Sequence, residues 1–267
     1  MKDLNLALLK LCLCTFLWLA LSSIALQPAQ AGEKVPGDWQ FSGDLYMWAP
    51  AIKGETAQGG DIDISFNDII DNLDLTFMAG LAARKDKFSF LLDVIYMDLE
   101  DSSNYTLTRG PFGLRSLSIT NLEMTAWVVT PAAAYNVLNT DLIEINLLAG
   151  ARYLYLKTEA DLVRQGPLET IRFSPSVSGH VWDGIVGARG NIKLNKQWTM
   201  PFHFDVGAGD TDLTWQAFGG VEYKFTNLSM VAGYRHLEWD FDDNDTGGEL
   251  FDDLYISGPV IGFRYFF

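Results

Sequence analysis

The last fourteen residues, Leu254 to Phe267, constrain the fold more than any other segment. Tyr255, Ile261, Phe263, Tyr265 and Phe267 fall on one face of an extended strand, and Gly258, Gly262 and Arg264 fall on the other. An apolar, aromatic face opposed to small and charged residues at period two suits a strand between lipid and a polar interior. The segment therefore predicts one strand of a transmembrane β-barrel.

The first 31 residues have the pattern of a secretory signal peptide. Two lysines flank the beginning of an apolar stretch from Leu11 to Leu26, and Ala29-Gln30-Ala31 is a small-x-small cleavage site. We predict a signal peptide over 1–31 and a mature barrel domain over 32–267, with a cut after Ala25 as the alternative. Both cysteines lie inside the predicted signal, so no disulfide or lipid anchor is expected in the mature chain.

Charge and hydropathy limit the class of protein further. The chain carries a net charge of −15, and residues 1–31 contribute one net positive charge, so the remaining 236 residues carry −16. This acidity excludes a nucleic-acid-binding protein. After residue 31, no apolar run approaches the roughly 20 residues of a spanning helix. A membrane location would therefore require a closed barrel, because open sheet edges are not satisfied in hydrocarbon.

Periodicity predicts about ten antiparallel strands in an up-and-down order, with eight and twelve as alternatives. They span 39–50, 73–85, 88–100, 118–135, 142–156, 178–193, 198–209, 213–225, 228–241 and 253–267. Short turns alternate with longer connections, as in outer-membrane barrels with periplasmic termini. Aromatic residues gather at both ends of the predicted strands, as interfacial belts require. The strand over 118–135 is apolar on both faces, so its facing stays open, and a bulge is one explanation.

The alternation places one set of charged side chains inside the barrel. Carboxylates and cations nearly cancel in this set, and one histidine belongs to it. Such an interior is either a packed, salt-bridged plug or a narrow conduit that selects solutes by charge. The lumen-lining candidates are Asp44, Arg84, Asp93, Glu144, Arg152, Asp183, Arg189, His203, Asp205, Glu222, Arg235 and Arg264.

The first external connection carries the signature of a short helix. Ser65 and Asp68 form a capping-box pattern, and Phe66, Ile69, Ile70 and Leu73 share one helical face. This helix would either lie over the barrel mouth or pack against the wall. Both the first and the last external connections are acidic, which leaves weak divalent-cation binding as an expectation. The run from Asp240 lacks the glycine and the glutamate of a calcium loop, so we predict no metal site.

The sequence contains few residue patterns that indicate catalysis. His180, His236, Asp183, Asp210, Asp212 and Asp240 supply the residue types of a rim protease of the omptin kind, but no recognisable spacing. No motif of a lipid-modifying barrel hydrolase is present. We therefore predict a protein that is not an enzyme and has no cofactor, and a rim hydrolase remains the low-ranked alternative.

The stretch from Phe66 to Leu99, with Asp71-Asn72-Leu73-Asp74, Ala83-Arg84-Lys85 and Tyr96-Met97-Asp98-Leu99, resembles a family of functionally uncharacterised proteobacterial outer-membrane proteins. The terminal aromatics Phe263, Tyr265 and Phe267 resemble the signal that the barrel-assembly machinery reads. These resemblances imply a Gram-negative outer-membrane location, with lipid and lipopolysaccharide as surroundings, and no known substrate. The predicted function is a narrow passive conduit for small solutes, with a plugged structural or adhesin-like surface barrel as the alternative.

Overall fold

A computed structural model describes residues 38–55, 61–64, 73–101, 105–109, 115–165, 170–174, 176–241 and 252–267. The predicted signal peptide and residues 65–72 of the predicted loop helix lie outside these described residues. Leu73, the last apolar position of that helix pattern, begins a strand instead. No helix in the described part of the chain is long and apolar enough to cross a membrane.

Ten strands form a closed antiparallel barrel. Each strand pairs with the next along the chain, and the last strand pairs with the first to close the wall. The ten are β1 (Gln40–Trp48), β4 (Leu73–Lys85), β5 (Phe88–Asp101), β7 (Arg115–Asn139), β8 (Ile143–Gln165), β10 (Ser176–Lys193), β11 (Trp198–Gly209), β12 (Leu213–Lys224), β13 (Leu228–Asp240) and β14 (Asp253–Phe266). The prediction of an all-β barrel of ten strands is therefore confirmed.

Four short strands extend the wall at one end. β2 (Ala51–Glu55) pairs with β14 and with β3 (Asp61–Ile64), while β6 (Tyr105–Arg109) pairs with β7 and β9 (Thr170–Phe173) pairs with β8. The sequence patterns did not predict these strands. They lie inside connections that were read as loops, and runs of four or five residues carry too few alternations to be recognised.

The two ends of the barrel differ in their connections. The short-turn end carries the turns between β4 and β5, β7 and β8, β10 and β11, and β12 and β13, together with the last residue of the chain. Asp86 lies in the first of these turns and has a φ of 53°, which a tight turn accommodates. The long-loop end carries the other connections and the four short strands; only the turn between β11 and β12 is tight there.

The outer wall between the two ends is apolar. Large hydrophobic side chains are exposed on every barrel strand whose outward side chains are described, among them Met47 at 67% and Leu147 at 52% of their full areas. Rings of paired aromatics border this belt, with Trp198–Tyr223 and Phe88–Tyr135 at the short-turn end and Tyr96–Trp127 and Tyr153–Trp182 at the long-loop end. An apolar belt between two aromatic rings fits the hydrocarbon and interfaces of a bilayer.

β7 and β8 rise well beyond the aromatic ring of the long-loop end. Their pairing passes the ring at Trp127 and Tyr155 and continues for ten more residues of β8, to Ser116 and Gln165. At the rise of an extended strand, these residues span about 30 Å along the strand. With β6 and β9 at its edges, this ribbon is the tallest described part of the long-loop end.

Candidate functional site

The strand alternation turns all twelve lumen-lining candidates toward the barrel interior. Nearest the short-turn end, Arg264 on β14 donates two hydrogen bonds to Asp44 on β1, through Nε at 2.6 Å and Nη2 at 2.8 Å. The two residues are direct register partners across the β1–β14 closure. Glu222 lies 3.8 Å from Arg264 and accepts a hydrogen bond from Thr199 at 3.0 Å. Asp44 is therefore held by two donors, whereas Oε1 of Glu222 has no hydrogen-bond partner among the described residues.

A second pair extends this layer across the barrel. Arg84 on β4 donates to Glu144 on β8 at 2.7 Å, and Glu144 also accepts a hydrogen bond from Asn146. The Arg84 and Glu144 side chains keep 33% and 15% of their areas exposed. Like the Arg264–Asp44 pair, whose side chains keep 20% and 30% exposed, this pair is partly solvated, and solvation weakens its contribution to stability.

Arg152 forms the most deeply buried ion pair of the described residues. Its Nη2 lies 2.6 Å from Oδ1 of Asp205, its Nη1 donates to Thr214 at 2.9 Å, and neither charged side chain has any exposed area. The second oxygen of Asp205 lies 2.5 Å from Nε2 of His203, two residues away on the same face of β11. A fully desolvated carboxylate needs this complete set of partners.

Arg235 on β13 joins four elements at mid-barrel. It donates to Asp93 at 2.8 Å, to Gln216 at 2.6 Å and to the Tyr46 hydroxyl at 2.9 Å, and that hydroxyl donates to Asp93 at 2.7 Å. The guanidinium also lies 5.1 Å from the centroid of the Trp48 ring, within cation–π range. Arg235 therefore marks the boundary between charged and aromatic side chains in the interior.

Two further lumen-lining candidates, Asp183 and Arg189, take no part in the ion pairs described above. Asp183 on β10 accepts hydrogen bonds from the backbone and the hydroxyl of Thr211, at 3.0 and 2.9 Å, and so fixes the tight turn between β11 and β12. Arg189 on β10 is the register partner of His203 on β11 and turns to the same interior face. Within the described residues, its side chain makes no direct hydrogen bond.

The sequence analysis missed an apolar layer that fills the interior on the long-loop side of these charges. In β5, Asp93 is followed by Ile95 and Met97, and in β8, Arg152 is followed by Leu154 and Leu156; all four apolar side chains are buried. Their inward neighbours include Met78, Met124, Val128, Leu237, Trp239 and Ile256. At this level, the interior therefore resembles a globular core rather than a water-lined pore.

One signal in the sequence pointed to this layer. The strand over 118–135 is apolar on both faces because Met124, Ala126 and Val128 turn into the apolar layer while Trp127 faces outward. One described register shift, between Ile119 and Asn121, lies inside the predicted strand but before Met124, and the other, between Asn136 and Leu138, lies after it. The ambiguous facing therefore reflects two apolar environments, not a local irregularity.

The apolar layer lines a small, partly open chamber. Nine apolar residues line it, including Ile52, Met97, Met124, Leu154, Leu156 and Ile256, and its volume is about 10 Å³. That space corresponds to about one water molecule, and a site without polar partners does not hold a water favourably. In the described residues, the interior thus consists of an ion-paired layer and a dry layer in series.

The candidate catalytic residues do not share a cleft. His180 and His236 face outward, where His180 contacts the Tyr153 ring, and His236 contacts the Trp215 ring at a tilt and forms a hydrogen bond with Glu238. Asp183 faces inward. Asp210 accepts a hydrogen bond from the Trp182 backbone. This separation gives no arrangement of nucleophile, base and acid among the described residues.

Acidic side chains gather at the long-loop rim without forming a described metal centre. Asp240 ends β13 beyond the aromatic ring, and its pKa is raised mainly by desolvation and also by the charges of Asp212, Asp253 and Glu238. Within the described part of the chain, no three or more His, Cys, Asp or Glu side chains are grouped to hold a metal ion. Asp242, Asp243, Asp245 and Glu249 of the last connection lie outside the described residues.

No protein-family model and no curated protein matches the chain. Solved structures match over most of its length. The translocator domain of the autotransporter NalP from Neisseria meningitidis is 13% identical over 95% of this chain and 98% of that one, with a TM-score of 0.44. An outer membrane channel from Pseudomonas putida F1 is 10% identical over 91% and 100%, with a TM-score of 0.39.

The attachment invasion locus protein Ail of Yersinia pestis, in complex with a heparin analogue, is a further match. It is 9% identical over 87% of this chain and 100% of that one, with a TM-score of 0.38. At such identities and scores, the likeness carries no argument about function.

Proposed function

We propose that the chain is an outer-membrane β-barrel whose interior is sealed by side chains and which serves as a structural or interaction protein of the cell surface. The series of an ion-paired layer and a dry apolar layer is the observation that carries this proposal. The resemblance to an outer-membrane family, the apolar belt and the terminal aromatics support the location. The proposal puts the short-turn end and both termini in the periplasm.

The geometry favours the sealed barrel over the conduit for small polar solutes. An ion in the lumen would first meet carboxylates and guanidinium groups that already hold one another, such as Arg152 and Asp205. It would then have to enter the apolar layer, and a hydrophobic constriction excludes ions by dewetting. A polar conduit would need both layers to rearrange, whereas a surface role needs neither to move.

The ribbon of β7 and β8 supports the surface role. It extends about 30 Å of strand beyond the aromatic ring, so it would stand clear of the bilayer on the outer side. β6 and β9 add short strands at its edges, and edge strands of this kind can pair with another chain. A partner of the surface protein would meet this ribbon before it met the barrel mouth.

Conductance in a planar bilayer tests the sealed interior. The refolded full chain should insert without steps of ion current, and an open porin in the same bilayer serves as the positive control. Steady, charge-selective current from the chain would overturn the sealed barrel and would support the conduit.

Thiol labelling of intact cells tests the orientation. A cysteine in place of Asp212, which is exposed in the tight turn of the long-loop end, should react with a membrane-impermeant reagent. A cysteine in place of Leu194, which is exposed at the short-turn end, should react only after the outer membrane is permeabilised. The reverse pattern would place the termini outside and would contradict the proposal.

A further inference from the structure

The barrel wall is interrupted between β1 and β4. Their ladder runs from Gln40 with Arg84 to Leu45 with Ala79 and then stops, although both strands continue toward the long-loop end. No described strand takes over this edge of β4, because β3 pairs only with β2. We call this interruption, between residues 46–48 and 73–78, the seam.

A hydrogen bond marks the seam from the β1 side. The backbone N–H of Trp48 donates to the thioether sulfur of Met78 at 3.2 Å, where a continued ladder would offer a carbonyl oxygen. A thioether is a weak acceptor compared with a peptide carbonyl. The wall is therefore held at this point by a flexible side chain rather than by the backbone.

The seam and the chamber lie at the same level. Met78 pairs in register with Ile95, and the next inward position of β5 is Met97, which lines the chamber. Met78 is itself buried in the apolar cluster that surrounds the chamber. On the outside, Tyr96 belongs to the aromatic ring of the long-loop end, which corresponds to a bilayer interface. Met78 therefore belongs both to the seam and to the apolar cluster around the chamber.

The chamber has the chemistry of an apolar binding site. All of its lining residues are apolar, and two of them, Met97 and Met124, are unbranched and can change conformation at low cost. Its resting volume of about 10 Å³ is too small for an organic molecule, so occupation requires these methionines to move. The arrangement disfavours ions and water, whereas an apolar molecule that enters from the bilayer exchanges one apolar environment for another.

We propose that the chamber binds one small apolar molecule, a hydrocarbon ring or short chain, which enters sideways from the bilayer through the seam. The proposal goes beyond the surface role and rests only on the placement of the barrel in a membrane. Sideways entry leaves the ion-paired layer intact, so uptake of an apolar molecule is compatible with a barrel that conducts no ions.

Methionine methyl groups provide the test. The full chain, with Cys12 and Cys14 changed to serine, would be labelled with ¹³C at the methionine methyls, placed in lipid nanodiscs and titrated with perdeuterated benzene. We expect saturable ring-current shifts at Met97 and Met124. Met200 and Met230 face outward and should show only the non-saturable shift of benzene dissolved in lipid.

A disulfide across the seam tests the route. The double variant Met47→Cys/Phe77→Cys joins the positions that would oppose each other if the ladder continued. After oxidation, the shifts at Met97 and Met124 should not develop within the time that saturates the reduced protein. The matched control Leu45→Cys/Ala79→Cys joins register partners in the intact ladder below and should leave the shifts unchanged.

Three outcomes would overturn the proposal. Absence of saturable shifts at Met97 and Met124 would remove the binding site, and equal shifts with the oxidised seam would remove the sideways route. Nuclear Overhauser contacts from lipid acyl chains to both methyls before benzene is added would make the occupant a lipid chain. Acyl-chain contacts at Met200 and Met230 report membrane placement separately, so failure of that premise is distinguishable.

Discussion

Replacement of Arg152 by alanine tests the packing of the interior most directly. The change removes the guanidinium bonded to Asp205 and leaves a carboxylate with no exposed area. Loss of one partner from a buried ion pair costs about 3 to 5 kcal/mol. The contact of Asp205 with His203 remains, and Thr214 still donates to the carbonyl of Glu238. We therefore expect the lower part of that range, about 3 kcal/mol.

Reversible urea unfolding of refolded protein in lipid vesicles, followed by tryptophan fluorescence, measures the loss. Arg84→Ala is the matched control, because the Arg84–Glu144 pair is partly solvated and should cost about 0 to 1 kcal/mol. The double variant Arg152→Met/Asp205→Leu removes both charges together and should recover most of the stability. A cost for Arg152→Ala no larger than that for Arg84→Ala, together with altered ion selectivity, would refute the packed interior.

Further predictions address the wall, the termini and the rim. Leu147→Arg on the outer face should lower the unfolding free energy in vesicles by about 2 to 4 kcal/mol, and a value near zero would contradict the lipid contact. Deletion of Phe267 should reduce heat-modifiable barrel in outer-membrane fractions without reducing secretion, and unchanged levels would count against an assembly role. Gly187→Ala would place a Cβ 2.2 Å from a backbone carbonyl oxygen of β11 and should lower the unfolding free energy by about 1 to 3 kcal/mol. In the control Gly219→Ala, the added Cβ meets nothing within 4 Å, so the unfolding free energy should stay nearly unchanged in the same assay. The raised pKa of Asp240 means that its charged form destabilises the fold above that pKa. Asp240→Asn should therefore raise the unfolding free energy at pH 7 by a few tenths of a kcal/mol, and this gain should disappear as the pH falls below the ordinary pKa of aspartate. A gain that persists at low pH would refute the charge effect.

The fold was predictable because lipid imposes alternation on each long strand. β11 shows this clearly: Trp198, Met200, Phe204 and Val206 face outward, and Thr199 and Asp205 face inward. Such a pattern fixes both the element and its facing. The short strands β2, β3, β6 and β9 lie beyond the apolar belt, where contact with lipid does not require apolar and polar residues to alternate.

The interior was predictable only in part. Alternation assigns charged residues such as Asp93 and Arg235 to the inward face. These two hydrogen-bonded partners are 142 residues apart in the chain, so their pairing depends on how the barrel closes. The apolar layer was missed for a different reason. An inward residue such as Ile95 has the same chemistry as an outward one, and periodicity cannot separate two apolar environments.

The bidentate contact between Asp44 and Arg264 has a consequence for how the barrel closes. It joins the first strand to the last at directly opposed positions, so it can form in one alignment of the two strands only. A slip by a single residue would turn Arg264 toward lipid and Phe263 toward the polar interior. The pair therefore selects one alignment of the last strand beside the first and disfavours alignments shifted by one residue.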